Sequence, residues 1–299
     1  MLMNQRWGVD LGGTKIEGVV LPAGGGTNPI CRVRIATEAD RGYDHIIDRI
    51  GVLLAQMESE SGLSRPNRIG IGTPGAADPT TGLMKNCNTT SLNGRPFPID
   101  LNDRLGINAV VANDANCFAL AEATLGAAIG APVVFGVIMG TGVGGGIVVN
   151  GRVLNGAQGI AGEWGHNPLE LGGAACYCGK TGCVKTVLSG PNLERFYAAR
   201  SGHALPLREI VATADSDPYA AATIERLCDK FGEALSVVVN ILDPDVVVLG
   251  GGVARIPALL TRGRDALACH VFNPDLKTAL RAPTLGDSAG VFGAAMLVA

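Results

Sequence analysis

The sequence predicts an α/β protein of two lobes, each built on a sheet that contains a glycine hairpin. The prediction depends on two segments, WGVDLGGTKIEGVVL at Trp7–Leu21 and FGVIMGTGVGGGIVVN at Phe135–Asn150. Each is an apolar run, a glycine turn and a second apolar run, and about 130 residues separate them. The alternative is that they are unrelated glycine-rich turns. A chain of 299 residues, 47% of them hydrophobic, is large enough for two cores.

Apolar periodicity predicts helices and strands in alternation along the rest of the chain, as is typical of α/β folds. The predicted helices are Tyr43–Ser61, an alanine-rich helix after Asn116 and Tyr219–Asn240, and the predicted strands are Ile69–Thr73, Ala109–Ala112 and Val246–Leu249. The last strand ends in Gly250-Gly251-Gly252, which could form a further nucleotide contact.

Composition excludes several classes of partner. There are 24 basic and 27 acidic residues, a net charge of −3 and no long run of one sign, so neither nucleic acid nor a membrane surface is an expected partner. The uncharged stretch 123–151 contains Pro132 and many glycines, which favours strand, turn and strand over a membrane helix. The first ten residues lack the regions of a secretion signal, so we expect a cytoplasmic protein with reduced cysteines.

The glycine turns suit phosphate binding without a helix dipole. Gly140–Gly145 satisfies G-x-G-x-x-G, but a strand follows it where a dinucleotide-binding turn requires a helix. A Walker A loop is absent from the sequence. The turns still expose backbone amides that can hold phosphate oxygens, with the hydroxyls of Thr14 and Thr141 as further donors.

Two carboxylates stand at predicted strand ends. Asp10 ends the first strand and is placed to hold Mg²⁺, which needs few protein ligands, although it could instead only satisfy turn amides. Asp114, in Asn113-Asp114-Ala115-Asn116, follows another strand and could accept a hydroxyl proton. The alternative for Asp114 is a role as a helix N-cap.

A possible metal site consists of His166, Cys176, Cys178 and Cys183. One imidazole and three thiolates complete a tetrahedral Zn²⁺ site with no position for water, so the zinc would be structural. The alternatives are a redox pair or coincidence, but Cys-x-Cys lacks the spacer of thioredoxin-like motifs. The remaining cysteines, at positions 31, 87, 117, 228 and 269, are predicted to be small buried hydrophobic residues.

The chain resembles the ROK family of sugar kinases (repressor, ORF, kinase) from near its first strand to its last residue. The resemblance is carried, in family order, by DLGGTK at Asp10–Lys15, GTPG at Gly72–Gly75, NDAN at Asn113–Asn116, GTGVGGG at Gly140–Gly146, GEWGH at Gly162–His166 and CYCGKTGC at Cys176–Cys183. It implies the two-lobed actin/hexokinase-like (ribonuclease H-like) fold around a nucleotide cleft. The lobes would be residues 1–115 and 116–299, with a C-terminal helix packing back on the first.

The resemblance also implies the roles of individual residues. Asp114 would be the catalytic base, and the sugar hydroxyls would be held by Asn88, Asn113, Asp114, Glu163 and His166. ATP and Mg²⁺ would be bound by Asp10, Gly12, Gly13, Thr14, Lys15, Gly140, Thr141, Gly142, Gly250, Gly251 and Gly252. The zinc site would order the segment that carries His166, with one ring nitrogen facing the metal and the other the sugar.

Two positions depart from the family pattern. Lys185 stands where the family usually has a glutamate that accepts hydrogen bonds from the sugar, and an ammonium has donors only. It would need a partner such as Glu163. Ser91 stands where fructokinase-like members often have tryptophan.

The predicted function is ATP-dependent phosphorylation of a hexose. The motifs KNCNTTSLNG and GEWGHNPL most resemble bacterial fructokinases that also accept mannose, so fructose is the first predicted sugar. N-acetylglucosamine kinase and glucokinase are the alternatives. A sugar- or nucleotide-binding protein impaired in catalysis by Lys185 is an alternative of another class. The resemblance suggests a homodimer.

Overall fold

A computed structural model describes residues 5–299, so the start of the sequence, where no secretion signal is predicted, lies partly outside the described residues. The strands are β1 Arg6–Leu11, β2 Lys15–Leu21, β3 Cys31–Ala36, β4 Arg68–Thr73, β5 Ala76–Ala77, β6 Met84–Lys85, β7 Asn108–Asn113, β8 Val133–Met139, β9 Val143–Val149, β10 Arg152–Val153, β11 Val246–Gly250 and β12 Ala279–Arg281. The α-helices are α1 Tyr43–Ser61, α2 Phe97–Leu105, α3 Asp114–Thr124, α4 Lys185–Leu188, α5 Gly190–Ser201, α6 Leu207–Thr213, α7 Pro218–Leu242, α8 Arg262–His270 and α9 Ala289–Met296. Every helix and strand predicted from periodicity is present.

Two five-stranded sheets share one strand order. The first is β3-β2-β1-β4-β7 and the second is β10-β9-β8-β11-β12. In the first, β1, β2 and β3 pair antiparallel, and β1, β4 and β7 pair parallel. In the second, β10 and β9 pair antiparallel, and β8, β11 and β12 pair parallel. This repetition confirms the predicted duplicated α/β fold.

The chain divides into two compact units that interleave along the sequence. The first holds the described residues up to Gly130, Gly146–Ala161 and Thr284–Ala299, and the second holds Ala131–Gly145 and Gly162–Pro283. These units differ from the predicted lobes 1–115 and 116–299. The physical reason is that α3 packs on α9, where Gly293 allows the two backbones to touch at Cys117. Both helices therefore belong to the first unit.

Helices cover the first sheet closely in the first unit. The buried face of α1, which includes Ile46, Ile50 and Leu54, packs on β2 and β3. α9 packs on β1 and β4, where a Cβ at Gly8 would lie 2.6 Å from the Val291 carbonyl oxygen. Only glycine permits this approach, which fixes the backbone leading into Asp10.

The second unit is built around the 25-residue helix α7, which packs against α8 and α5. Asp217 caps α7 by accepting from the Tyr219 N–H at 2.8 Å, and Phe231 and Leu235 of α7 are fully buried. Within the described residues, no helix is long and apolar enough to cross a membrane. The stretch 123–151 contains β8 and β9, as predicted.

Glu122 is a fully buried carboxylate in α3 of the first unit. It accepts hydrogen bonds from the N–H groups of Ala127 at 2.8 Å, Thr284 at 3.1 Å and Leu285 at 3.0 Å, and from the Thr284 hydroxyl at 3.3 Å. The chain returns to the first unit at Thr284. Glu122 therefore anchors the segment that leads into α9.

Glu122→Gln is expected to lower the free energy of unfolding by about 2–4 kcal/mol. The amide has one acceptor oxygen, and its NH₂ group would face the backbone N–H groups that the carboxylate now accepts from. Denaturant unfolding measures the loss. Glu225→Gln, at an exposed position on α7, is the matched control and should change stability by less than about 0.5 kcal/mol. Equal stabilities of the two variants would contradict the anchoring role.

Candidate active site

The first glycine turn connects β1 to β2. Gly12 donates its N–H to the Lys15 carbonyl at 3.0 Å, and Gly13, Thr14 and Lys15 are exposed. Thr37 fixes the turn from beneath, because its hydroxyl donates to the Gly12 carbonyl at 2.7 Å and its N–H to the Thr14 carbonyl at 3.0 Å. With these carbonyls turned inward, the turn can offer its amides to an anion.

Asp10 lies at the end of β1 in a space left by two glycines. A Cβ at Gly290 would lie 2.8 Å from its Oδ2, and one at Gly72 would lie 3.4 Å from its Oδ1. Its pKa is raised from 3.8 to about 6, mainly by burial and then by the charges of Asp114 and Glu17. A carboxylate disfavoured by burial and by a neighbouring carboxylate is stabilised by a bound cation, so Asp10 fits the predicted Mg²⁺ ligand.

Asp10→Asn is expected to stabilise the protein above pH 6. Because its folded-state pKa is raised, Asp10 binds a proton more tightly in the folded protein than in the unfolded chain. Its contribution to the free energy of unfolding is therefore fully present below pH 3.8 and is lost as the pH rises through about 6. The full shift corresponds to about 3 kcal/mol, and partial exposure reduces it to about 1–2 kcal/mol. Unfolding measured without Mg²⁺ at about pH 8 should show this gain, and at about pH 4 it should disappear. A gain that does not depend on pH would contradict the electrostatic origin.

Asn113 and Asp114 form the junction between β7 and α3. Asn113 is the N-cap residue, and its Oδ1 accepts the Ala115 N–H at 2.8 Å. Asp114 is the first helical residue rather than the cap, and its Oδ1 also accepts from Ala115 at 2.8 Å. Although its side chain is accessible, the surrounding protein desolvates it and raises its pKa above the usual range. A helix start with a raised carboxylate pKa suits a proton acceptor.

The segment that carries Asn88 borders the first glycine turn. A Cβ at Gly13 would lie 3.6 Å from the Thr89 hydroxyl oxygen, and the Asn88 N–H donates to the Pro74 carbonyl at 3.3 Å. Ser91 lies one turn on with a buried hydroxyl that has no hydrogen-bond partner among the described residues. The predicted sugar ligand Asn88 is thus placed next to a predicted phosphate site within the first unit.

The second glycine turn connects β8 to β9 in the second unit. Gly140 donates its N–H to the Gly142 carbonyl at 2.9 Å, which leaves Thr141 exposed at the tip. Gly251, at a φ of 88°, follows β11 and packs on the backbone of Met139. A Cβ at Gly140 would lie 3.8 Å from the Gly252 nitrogen. The two glycine segments predicted to bind ATP in this unit are therefore neighbours.

The four predicted metal ligands meet in one cluster, with all ligand atoms within 4.8 Å of one another. His166 Nδ1 lies 3.6 Å from Cys176 Sγ, and Cys178 Sγ lies 3.7 Å from Cys183 Sγ. Zn–S bonds of about 2.3 Å and a Zn–N bond of about 2.0 Å place tetrahedral ligand atoms about 3.5–3.8 Å apart. The residues therefore fit Zn²⁺, which would crosslink the segment 166–183.

The remaining cysteines are buried, as predicted, with one exception. Cys31, Cys87, Cys117 and Cys228 are buried, but Cys269 in α8 is exposed. Leu267 faces the core from α8, and a residue two positions later lies on the opposite face of a helix. The prediction for Cys269 is therefore wrong.

Trp164 positions the predicted sugar ligands Glu163 and His166. Its ring is buried, contacts Phe135 edge to face at 5.9 Å, and donates Nε1–H to the Gly144 carbonyl at 2.8 Å. The turn Trp164–His166 is thereby tied to β9. Burial, followed by the charges of Lys185 and Lys180, lowers the pKa of His166, which favours the neutral imidazole that metal binding requires.

Tyr177 is a residue whose contacts the sequence did not reveal. Its hydroxyl lies 3.0 Å from His166 Nε2, the nitrogen opposite the one that faces the cysteines. The Lys185 ammonium lies 4.0 Å from the centroid of its ring. Lys185 therefore has an aromatic partner in Tyr177, where the sequence suggested Glu163. The available signal was the position of Tyr177 between two metal ligands, which fixes its backbone.

The structure thus gathers the predicted residues in two groups. The first unit contains the carboxylate pair and one glycine turn, namely Asp10, Gly12–Lys15, Asn88, Asn113 and Asp114. The second contains the other glycine segments and the metal cluster, namely Gly140–Gly142, Gly250–Gly252, Glu163, His166, Cys176, Cys178 and Cys183. Glycine turns, a carboxylate predicted to bind a cation and a second carboxylate with a raised pKa are components that suit phosphoryl transfer.

Comparison with known proteins agrees with this chemistry. The ROK family model matches residues 6–299. An N-acetyl-D-glucosamine kinase of Shigella flexneri is 35% identical, over 97% of this chain and 98% of the relative. A ROK hexokinase from Thermus thermophilus is 34% identical with a TM-score of 0.86, covering 98% of this chain and 97% of that one. A ROK glucokinase from Streptomyces griseus, in complex with glucose and AMPPNP, is 27% identical with a TM-score of 0.78, covering 98% and 99%.

Proposed function

The chain belongs to the ROK family, and from that premise we propose that it is an ATP-dependent sugar kinase that phosphorylates a hydroxyl group of a hexose. The observation that carries the proposal is the pair Asp10 and Asp114 beside the first glycine turn. The charge of Asp114 raises the pKa of Asp10, and both carboxylates belong to the first unit. A cation and a hydroxyl proton are the two positive groups that such a pair would share during phosphoryl transfer.

Each residue then has a defined role in the reaction. The sugar oxygen attacks the γ-phosphorus while the bond from that phosphorus to the β,γ-bridging oxygen breaks, and ADP leaves. Asp114 accepts the proton of the attacking hydroxyl, and Asp10 would hold Mg²⁺, whose charge would offset that of the phosphates. The amides of Gly13 and Thr14 hold phosphate oxygens, with Lys15 as an added cation, while the Gly12 N–H closes the turn on the Lys15 carbonyl.

N-acetylglucosamine is the first candidate among the sugars, because relatives with that name align over nearly the whole chain. Fructose and mannose, predicted from the sequence motifs, stay predictions, and glucose follows from the Streptomyces griseus neighbour. The residue at position 91 argues against fructose as the substrate. Ser91, with its buried hydroxyl, replaces the tryptophan of fructokinase-like members, so that aromatic contact is absent at this position.

The site supports one alternative of another class, a sugar- or nucleotide-binding protein without turnover. Lys185, in place of a family glutamate, favours it, because an ammonium cannot accept a sugar hydrogen bond. Its stacking on Tyr177 shows that the charge is accommodated, and the Asp10–Asp114 pair favours catalysis. The kinase is therefore the conclusion and the binding protein its alternative.

Turnover with a panel of sugars tests the proposal. ADP release is measured with MgATP and N-acetylglucosamine, fructose, mannose or glucose, in the wild-type protein and in Asp114→Asn. Sugar-dependent release that the variant lacks supports the kinase and identifies its sugar. ATP binding with no turnover on any sugar would contradict it in favour of the binding protein. Three further predictions stay open. Metal content tests the structural Zn²⁺, the mass in solution tests the homodimer, and cell fractionation tests the cytoplasmic location.

A further inference from the structure

Lys185 lies beside the second glycine turn. It begins α4, and a Cβ at Gly142 would lie 3.7 Å from both its Cε and its Nζ. Its ammonium lies 4.0 Å from the centroid of the Tyr177 ring, and the residue is only partly exposed. The charge is therefore held against a backbone turn, where a surface lysine would extend into water.

The position of the ammonium is fixed through two further contacts. The Tyr177 hydroxyl bonds His166 Nε2 at 3.0 Å, and the two rings meet edge to face at 5.2 Å. His166 is in turn a member of the cluster with Cys176. Although Tyr177 is 70% exposed, the contacts from His166 through Tyr177 to Lys185 favour one position of the ammonium, which lowers the entropy lost on binding.

The chemistry of this position points to an anion. The face of the Tyr177 ring attracts the positive charge of the ammonium. The N–H groups of the ammonium, however, need hydrogen-bond acceptors such as oxygen. In the neighbouring turn the Gly140 N–H is bonded to the Gly142 carbonyl, which leaves the amides of Thr141 and Gly142 as further donors. A lysine beside a turn of amides complements an oxyanion, whereas the carboxylate that the family usually has at this position would repel one.

We propose that Lys185 is an oxyanion-binding residue that, together with the turn Gly140–Gly142, binds a phosphate or carboxylate group of a substrate. This proposal rests on the proposed function, because it assumes that the substrates of the kinase bind at the turn Gly140–Gly142. Two sources share the chemistry. The oxyanion is either a phosphate of the nucleotide or a carboxylate carried by the sugar, in which case the chain acts on an acidic hexose derivative.

Two variants isolate the charge. Lys185→Met keeps the aliphatic stem against Tyr177 and removes the charge, and Lys185→Glu restores the family carboxylate. Lys180→Met is the matched control, because Lys180 is an exposed lysine in the segment that carries the metal ligands. Zinc content and melting temperature identify any variant that fails to fold, and either of the two Lys185 variants suffices for the test.

Equilibrium titration distinguishes the two sources. One arm titrates MgADP and MgAMPPNP, and the other compares N-acetylmuramic acid with N-acetylglucosamine, which lacks its carboxylate. If a nucleotide phosphate is bound, Lys185→Met weakens nucleotide binding about tenfold or more, as expected for a hydrogen bond between charged groups. If the sugar carboxylate is bound, the same loss falls on N-acetylmuramic acid alone. Lys180→Met stays within about twofold of wild type in both arms.

The proposal is overturned if Lys185→Met binds both nucleotides and N-acetylmuramic acid within about twofold of the wild-type protein. It is also overturned if Lys185→Glu binds the nucleotides and N-acetylmuramic acid as tightly as the wild-type protein does. Failure of the proposed function can be distinguished from failure of this proposal. If the wild-type protein does not phosphorylate any sugar, nucleotide and sugar binding can still be titrated and the effect of Lys185→Met measured. Conversely, turnover by a Lys185→Met variant with unchanged affinities would leave the kinase intact.

Discussion

Asp114→Asn is expected to lower kcat for phosphoryl transfer by about a hundredfold or more, with little change in nucleotide affinity. Asparagine preserves the volume of the side chain and an oxygen that can accept the Ala115 N–H, so the start of α3 remains intact. What is lost is the proton acceptor, a contribution of about 10²–10⁴ in rate where a positioned base assists. Positioning and charge neutralisation supply the remaining acceleration, so a residual rate is expected.

Single-turnover measurement with the sugar identified by the panel separates chemistry from product release. Asp103→Asn, an exposed carboxylate on α2 in the same unit, is the control and should retain wild-type kcat. The acid limb of the wild-type pH profile should lie above the usual aspartate range, because burial raises the pKa of Asp114. A variant with kcat within about threefold of wild type would remove Asp114 from the role of base.

Local sequence patterns predicted the fold well because its elements are simple and periodic. α1 spans Tyr43–Ser61 as predicted, since apolar residues recur at helical spacing along it. The glycine hairpins were predicted from apolar runs around a turn, and both pair as expected at β1–β2 and β8–β9. The positions of Asp10 and Asp114 followed from the rule that sites form at strand ends.

Long-range packing was less accessible from the sequence. Gly293 allows α9 to touch α3, and only the structure shows that this contact keeps α3 in the first unit. Tyr177 is similar, because its bond to His166 and its stacking with Lys185 depend on side-chain directions that spacing does not determine. The burial of the Ser91 hydroxyl and the exposure of Cys269 likewise depend on which neighbours cover them.

The carboxylates Asp10 and Asp114 of the first unit lower the stability of the folded protein, and the proposed function explains why both are present. A buried carboxylate with a pKa near 6, next to a second carboxylate, disfavours the folded state at neutral pH. Asparagine at position 10 would relieve that cost but would remove the charge that we propose binds Mg²⁺. The pair is therefore expected to be more stable with the metal bound, so Mg²⁺ should raise the melting temperature of the wild-type protein and not that of Asp10→Asn.

Cys183→Ser is expected to abolish the predicted zinc binding and to raise the KM for the sugar more than tenfold. Cys183 is buried and lies 3.7 Å from Cys178 Sγ, so a serine there leaves three ligands and a neutral hydroxyl. Structural zinc contributes about 10 kcal/mol or more to the order of the segment that it crosslinks. Without it, the segment that holds His166 and Tyr177 loses its crosslink, and the proposed sugar contacts of the second unit lose their fixed positions.

Metal analysis, melting temperature and separate KM values for sugar and ATP measure these effects. Cys269→Ser is the matched control, because Cys269 is exposed in the same unit and lies outside the cluster. The first glycine turn lies in the other unit and keeps its ATP contacts without the crosslink, so the KM for ATP should rise less than the KM for the sugar even where Lys185 loses its contact with Tyr177. A Cys183→Ser variant that retains zinc, or one that loses zinc with an unchanged KM for the sugar, would show that the cluster does not order the sugar site.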